Sequence, residues 1–77
     1  MVTELVAFLA QSLVAEPERL EVLTRESSRG LEIQIRCAPE DAGRLIGRGG
    51  RTINSIRTLA RAASEGQERV EVHLLDA

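Results

Sequence analysis

The residues best suited to chemistry lie between Gly43 and Thr52, where the sequence is GRLIGRGGRT. This stretch contains four glycines, three arginines and no acidic residue. Glycine lets a ligand approach the backbone, a helix that begins here offers free N–H groups and a positive dipole end, and arginine pairs with phosphate. The combination predicts a cradle for a phosphate group. A tight turn between two helices, without a ligand, explains the glycines equally well.

The glycines have different predicted tasks. Gly47 and Gly50 form the turn between two helices, and Gly49 leaves room for a ligand against the backbone. Gly43 is predicted to permit close packing inside the short helix that precedes the turn.

The charge of the chain is unevenly distributed, although its net value is −2. Five of the ten arginines fall between positions 44 and 61, where no Asp or Glu occurs, so this window carries +5. The other five arginines against all twelve acidic residues leave the remainder at −7. This distribution predicts a concentrated basic patch on an acidic body.

Two common phosphate motifs are excluded by single residues. A Walker A loop that ends at Arg51 and Thr52 needs a glycine where Leu45 stands, and a lysine that the sequence lacks. A dinucleotide fingerprint that starts at Gly47 needs a glycine in place of Thr52. One cysteine and one histidine also argue against a soft-metal cluster or a disulfide framework, so no metal or cofactor is predicted.

No catalytic constellation accompanies the glycine-rich stretch. The polar residues next to it, Thr52, Asn54 and Ser55, have no histidine or carboxylate nearby in sequence. Cys37 ends the inward row of an alternating strand and is predicted to be buried, whereas His73 is predicted to face solvent from the last strand. The sequence therefore predicts a binding protein and not an enzyme.

Hydrophobic periodicity predicts six elements. Their order is a helix from Thr3 to about Ala15, strands at 20–25 and 31–37, helices at 39–46 and 51–65, and a strand at 69–75. Phe8, the only aromatic residue, and Leu59 are placed on the inner faces of their helices. Three strands with one apolar face need a cover, which three amphipathic helices supply. We expect one α+β domain over residues 1–77, a two-layer sandwich with a three-stranded sheet covered by three helices.

Residues Leu45 to Ile53, LIGRGGRTI, match the pattern [VIL]-I-G-x-x-G-x-x-I at every defined position. This pattern resembles the signature of the KH domain, in which a GxxG loop joins two helices in a strand-helix-helix-strand core and clamps about four nucleotides. The elements from 31 to 75 follow this core order, and the helix and strand at 3–25 correspond to the type II arrangement, α-β-β-α-α-β. The chain resembles the small single-domain bacterial KH proteins of the KhpA kind over its whole length.

The resemblance implies a site for single-stranded RNA across the loop and the second core helix. Loop N–H groups, Arg48 and Arg51 would hold phosphates, and bases would enter an adjacent apolar groove. Arg44, Arg57 and Arg61 would be outer contacts or, alternatively, solvated helix surface. The predicted RNA-binding residues are Gly47, Arg48, Gly49, Gly50, Arg51, Ile46, Ile53, Arg44 and Arg57.

The same resemblance implies that the protein would be a bacterial, non-catalytic RNA chaperone or post-transcriptional regulator. A cytoplasmic location is expected from the sequence itself. No apolar run approaches the roughly 18 residues that a membrane span needs. A lone domain without exposed aromatic rings should bind RNA weakly, and pairing as a homodimer, or as a heterodimer with a second KH-domain protein, would raise its affinity. The alternative is a protein-interaction module that assembles with another KH-containing RNA-binding protein and contributes little RNA affinity itself.

Overall fold

The computed structural model describes residues 1–66 and 68–75, in which three helices pack on a three-stranded sheet. The elements are α1 (Val2–Leu13), β1 (Glu21–Ser27), β2 (Gly30–Arg36), α2 (Ala42–Ile46), α3 (Arg51–Ala63) and β3 (Val70–Leu75). Short 3-10 turns occupy Pro17–Arg19, Pro39–Asp41 and Arg48–Gly50. This α-β-β-α-α-β order, in two layers, confirms the predicted fold class.

Strand β2 lies at the centre of the sheet. It pairs antiparallel with β1 across a two-residue turn, from Ser27↔Gly30 to Glu21↔Arg36, and parallel with β3, from Leu31↔Val70 to Arg36↔Leu75. A parallel pair needs a crossover connection, which α2 and α3 supply. The carboxyl ends of β2 and β3 therefore lie side by side, at the edge of the sheet where the chain leaves for α2.

The core lies between the sheet and the helices. Alternating residues of β2 and β3 face inward, α1 and α3 each add a row of buried apolar residues, and α2 adds Leu45. The buried members of the core include Val6, Ala10, Ile33, Ile35, Leu45, Ile53, Ile56, Ala60 and Val72. Burial of one large apolar side chain contributes roughly 1.5–3 kcal/mol. Because Leu45, Ile53 and Ile56 belong to α2 and α3, core packing also holds the joint between these helices in place.

Two predicted core residues are exposed instead. Phe8 is 65% exposed and Leu59 is 48% exposed, so the prediction that both face the core is wrong. In α1 the apolar residues cover much of the circumference, and the stripe with the smaller residues Val6 and Ala10 faces inward. Small inward residues let α1 lie close to α3, against which it packs.

Candidate functional site

The joint between α2 and α3 contains a glycine, Gly47, at which any other residue would be strained. Helix α2 ends at Ile46, Gly47 has φ 76° and ψ 170°, and one 3-10 turn over Arg48–Gly50 leads directly into α3. A Cβ atom on Gly47 would lie 2.2 Å from the hydroxyl oxygen of Thr52 and 2.8 Å from its backbone nitrogen. Both the left-handed φ and the lack of space therefore require glycine here.

The other glycines of this stretch face open space. Gly49 and Gly50 have φ values of 65° and 80°, and a Cβ atom would meet nothing within 4 Å at Gly49 and only the Asn54 side chain, at 3.7 Å, at Gly50. This surface can accept a ligand against the backbone. Gly43 lies inside α2, and a Cβ atom there would also meet nothing within 4 Å, so its predicted packing role is wrong.

Backbone donors are available in the turn that precedes α3. The N–H of Gly50 donates to the carbonyl of Gly47 at 3.1 Å, and the N–H of Arg51 donates to the carbonyl of Arg48. Within the 3-10 turn itself the N–H groups of Arg48 and Gly49 have no partner, as is usual for the first residues of a helical turn. No side chain caps α3, so the positive end of its dipole is also uncompensated. With Arg48 and Arg51 exposed beside it, the turn can hold a phosphate group.

Arg44 lies one helical turn before Gly47, and its guanidinium group forms a salt bridge with a buried carboxylate. Its Nε lies 3.2 Å from Oδ1 of Asp41, and the Arg44 side chain is 59% exposed. The Asp41 carboxylate also accepts the backbone N–H groups of Ala15 and Glu16, each at 3.0 Å. The bond from Ala15 is the main cause that holds the pKa of Asp41 below its ordinary value, and Glu16 and Arg44 add to it while burial opposes it.

Arg57 and Arg61 are bound to the outer edge of the sheet. Arg57 donates from Nε to the carbonyl of Val72 and from Nη1 to Oδ1 of Asn54, both at 3.0 Å. Arg61 donates from Nε to the carbonyl of Val70 at 3.4 Å. These bonds occupy carbonyl groups on the free edge of β3, which would otherwise be unpaired. Both arginines thus have a role in the fold, and their contact with RNA stays a prediction.

An open groove of about 450 Å³ lies beside the joint. Ile46 and Ile53, the predicted apolar flanking residues, both line it. Ile46 is half-exposed, whereas Ile53 is buried. The other lining residues are Cys37, Pro39, Ala42, Arg57, His73, Leu74 and Leu75. A largely apolar groove with polar groups among its lining suits a flat, weakly polar ligand such as a nucleobase.

The thiol in this groove is not poised for chemistry. Cys37 is buried, as predicted, and burial first and the Asp41 carboxylate second raise the pKa of its thiol. A raised pKa keeps the thiol protonated and weakly nucleophilic at neutral pH.

Exposed His73 lies near two carboxylates. Its Nε2 atom is 3.3 Å from Oε1 of Glu71 and 3.6 Å from Oε2 of Glu32. Over residues 1–66 and 68–75, no cluster of His, Cys, Asp and Glu has an arrangement that could hold a metal ion.

The joint has the helix-GxxG-helix form of a KH domain, and comparison with known proteins identifies which kind. The family model described as "KhpA/KhpB, KH domain" matches residues 3–74. The chain belongs to the KhpA/KhpB KH-domain family. This membership confirms the resemblance carried by residues Leu45 to Ile53.

Members of the KhpA/KhpB family from distant bacteria match nearly the whole chain. The RNA-binding protein KhpA of Leifsonia xyli subsp. xyli is 37% identical over 76 residues, which cover 99% of both chains. That of Treponema pallidum is 40% identical over 78 residues, with 99% of this chain and 96% of the relative covered. That of Caldanaerobacter subterraneus subsp. tengcongensis is 38% identical over 73 residues, with 94% and 97% covered.

The sequence prediction missed the strand residues of the groove and the role of Asp41. Cys37, His73, Leu74 and Leu75 reach the groove because β2 and β3 are parallel and end together. Two helices between two strands are a signal for a parallel crossover, and this signal would have placed both strand ends beside the joint.

In the described parts of the chain, no helix is long and apolar enough to cross a membrane.

Proposed function

We propose that this chain binds single-stranded RNA without catalysing a reaction, as an RNA chaperone or post-transcriptional regulator in the bacterial cytoplasm. The observation that carries the proposal is the turn before α3, where the N–H groups at the start of a helical turn lie beside exposed arginines and an apolar groove. Relatives named RNA-binding protein KhpA support it. Residues 1–77 act as one KH domain, with a core at 31–75 and a helix-strand extension at 3–25.

In this proposal, the phosphates of the RNA bind the turn and the bases bind the groove. Backbone N–H groups and the Arg48 and Arg51 guanidinium groups hold successive phosphates, which sets the path of the strand. Bases then contact Ile46 and Leu74 in the groove. Phe8, although exposed, does not line this groove, so recognition relies on apolar contact and hydrogen bonds without aromatic stacking.

The double substitution Arg48→Asp with Gly49→Asp tests the site, and Arg48→Asn with Gly49→Asn is its matched control. Asp and Asn have nearly the same shape, and both tolerate the left-handed backbone of Gly49 better than other side chains do. The two variants therefore differ mainly in negative charge beside the N–H groups of the turn. We expect the Asp variant to lose more than about tenfold in affinity relative to the Asn variant.

The probe is a fluorescein-labelled single-stranded RNA of mixed sequence, read by fluorescence anisotropy, with single-stranded DNA of the same sequence in parallel. Circular dichroism and thermal melting should show the same folded state for both variants. Equal RNA affinity of the folded Asp and Asn variants would refute the assignment of the site. Comparison of the two probes determines whether the site prefers RNA.

A second proposal is assembly with another KH-domain chain, which one surface favours. Phe8 of α1 and Leu59 of α3 are large, apolar and exposed, and their helices pack against each other. The exposed residues that accompany Leu59 at helical spacing, Ser55 and Ala62, are uncharged. Solvent-facing helix surfaces are usually charged, so this face, defined by Phe8, Ser55, Leu59 and Ala62, fits a second chain.

Sedimentation of the wild type, Leu59→Arg and Ser28→Arg tests this assembly. Ser28 is also exposed, in the turn between β1 and β2, and its variant adds the same charge outside the defined face. If the face pairs two copies, the wild type and Ser28→Arg sediment as dimers and Leu59→Arg as a monomer. A monomeric wild type excludes the homodimer, and the same variants are then mixed with a second KH-domain protein of this family. Binding that Leu59→Arg does not weaken would exclude this face altogether.

A further inference from the structure

The Asp41 carboxylate is buried but does not cap the helix that follows it, α2. Asp41 occupies the N-cap position of α2, yet its side chain makes no capping hydrogen bond there. It is 1% exposed and accepts hydrogen bonds from Ala15 and Glu16, on the connection between α1 and β1. A buried carboxylate needs such partners, and these fix it relative to both the N-terminal extension and α2.

The third partner of this carboxylate is the guanidinium group of Arg44. Nε of Arg44 lies 3.2 Å from Oδ1 of Asp41 in a salt bridge, and the Arg44 side chain remains 59% exposed. An arginine that pairs with a carboxylate on its Nε side can offer its two terminal NH2 groups to another acceptor. Arg44 lies one helical turn before Gly47, on the helix that leads into the RNA-binding joint.

We propose that Asp41 is a positioning residue for RNA binding, which holds Arg44 through Nε so that its terminal NH2 groups face a phosphate of the bound strand. The inference rests on the proposed function and adds a residue that does not itself touch RNA. It predicts that lysine cannot replace Arg44, because the single nitrogen of lysine cannot bind Asp41 and a phosphate in the same geometry. A positive charge alone at position 44 is then not enough for full RNA affinity.

The test measures affinity for the same labelled RNA with Arg44→Lys, Arg44→Gln, Asp41→Asn and the double variant Asp41→Asn with Arg44→Gln. We expect Arg44→Lys and Arg44→Gln to weaken binding equally, by about three- to tenfold. Asp41→Asn should weaken binding by a similar factor, and the double variant should bind no more weakly than Arg44→Gln alone. Arg29→Gln, which removes an exposed arginine from the turn between β1 and β2, is the control and should bind like the wild type.

Three results would overturn the inference: wild-type affinity of Arg44→Lys, tighter binding of Asp41→Asn, or losses that multiply in the double variant. Losses that multiply would mean that Asp41 acts only through the fold.

If Asp41→Asn does not fold, the comparison of Arg44→Lys with Arg44→Gln decides. The Arg44 side chain is largely exposed, so both of these variants should fold. The Arg48→Asp and Gly49→Asp variant is measured in parallel. If it loses binding while Arg44→Lys does not, only this inference fails; if it retains binding, the proposed function fails.

Discussion

Gly47→Ala is the substitution that the joint should tolerate least. At φ 76° and ψ 170° the backbone is in a region essentially restricted to glycine, and alanine there costs roughly 1–3 kcal/mol. The added Cβ would also lie 2.2 Å from Oγ1, 2.7 Å from Cβ and 2.8 Å from N of Thr52, so the start of α3 must move. We expect a loss of more than about 3 kcal/mol, from the roughly 4–12 kcal/mol available to a chain of this length.

Two neighbouring glycines provide matched alanine substitutions. Gly49→Ala retains the positive φ of 65° but meets no atom within 4 Å, so it should cost only roughly 1–2 kcal/mol. Gly43→Ala lies in a helix and in open space, so it should stabilise the fold by roughly 0.5–1 kcal/mol. The expected order of stability is Gly43→Ala, wild type, Gly49→Ala and Gly47→Ala.

Urea titration followed by far-ultraviolet circular dichroism measures this order. A change of 1 kcal/mol moves the Tm of a domain of this size by about 4–8 °C, so thermal melting should resolve all three variants. Thr52→Ala in the Gly47→Ala background removes the hydroxyl but leaves Cβ and N of residue 52 in place, so it should recover little stability. Equal stability of Gly47→Ala and Gly49→Ala, or full rescue by Thr52→Ala, would refute the reasoning.

Acid, salt and a thiol reagent test other residues. The folded pKa of Asp41 is below its ordinary 3.8, so its carboxylate stabilises the fold fully above that pH and progressively less below it. The stability difference between the wild type and Asp41→Asn should therefore shrink as urea titrations go from about pH 6 to about pH 3, and a constant difference would contradict this. For RNA, the logarithm of the association constant plotted against the logarithm of the salt concentration should have a slope of about −2, which corresponds to phosphate contacts of Arg44, Arg48 and Arg51. Arg48→Gln should reduce the magnitude of this slope by about 0.7. A wild-type slope near −3.5 would mean that Arg57 and Arg61 also bind phosphate. Cys37 should react with iodoacetamide only as urea unfolds the protein, and rapid labelling of the native state would contradict its burial.

The element types and the joint could be predicted because their signals are local. Alternation over residues 31–37 and the apolar spacing after Arg51 correspond to β2 and α3. Closely spaced glycines between two helices require a tight turn, and Gly47 shows the expected backbone and lack of space. These features depend on neighbours within a few positions, which the sequence displays directly.

The sequence did not reveal contacts between residues that are distant along the chain. Asp41 binds a connection that lies 25 and 26 positions earlier, and Arg57 binds a carbonyl 15 positions later. Nor can periodicity decide between overlapping apolar stripes, as in α1, where the side containing Phe8 faces solvent. Both cases depend on how whole elements pack, and an isolated helical or strand pattern contains no information about that.

The acidic remainder of the chain also has a consequence for RNA binding that depends on salt. The molecule is 34 Å long, and Glu65 follows the far end of α3, about 20 Å from the joint along a 13-residue helix. At physiological salt the Debye length is about 8 Å, so such acidic residues are screened from a phosphate at the joint. At roughly 0.01 M salt the Debye length grows to about 30 Å, and the −7 remainder then repels the strand. As the salt concentration falls, RNA affinity should therefore rise less steeply than counterion release alone predicts. Lower salt strengthens the arginine contacts with phosphate, but it also weakens the screening of the repulsion between the RNA and the acidic remainder.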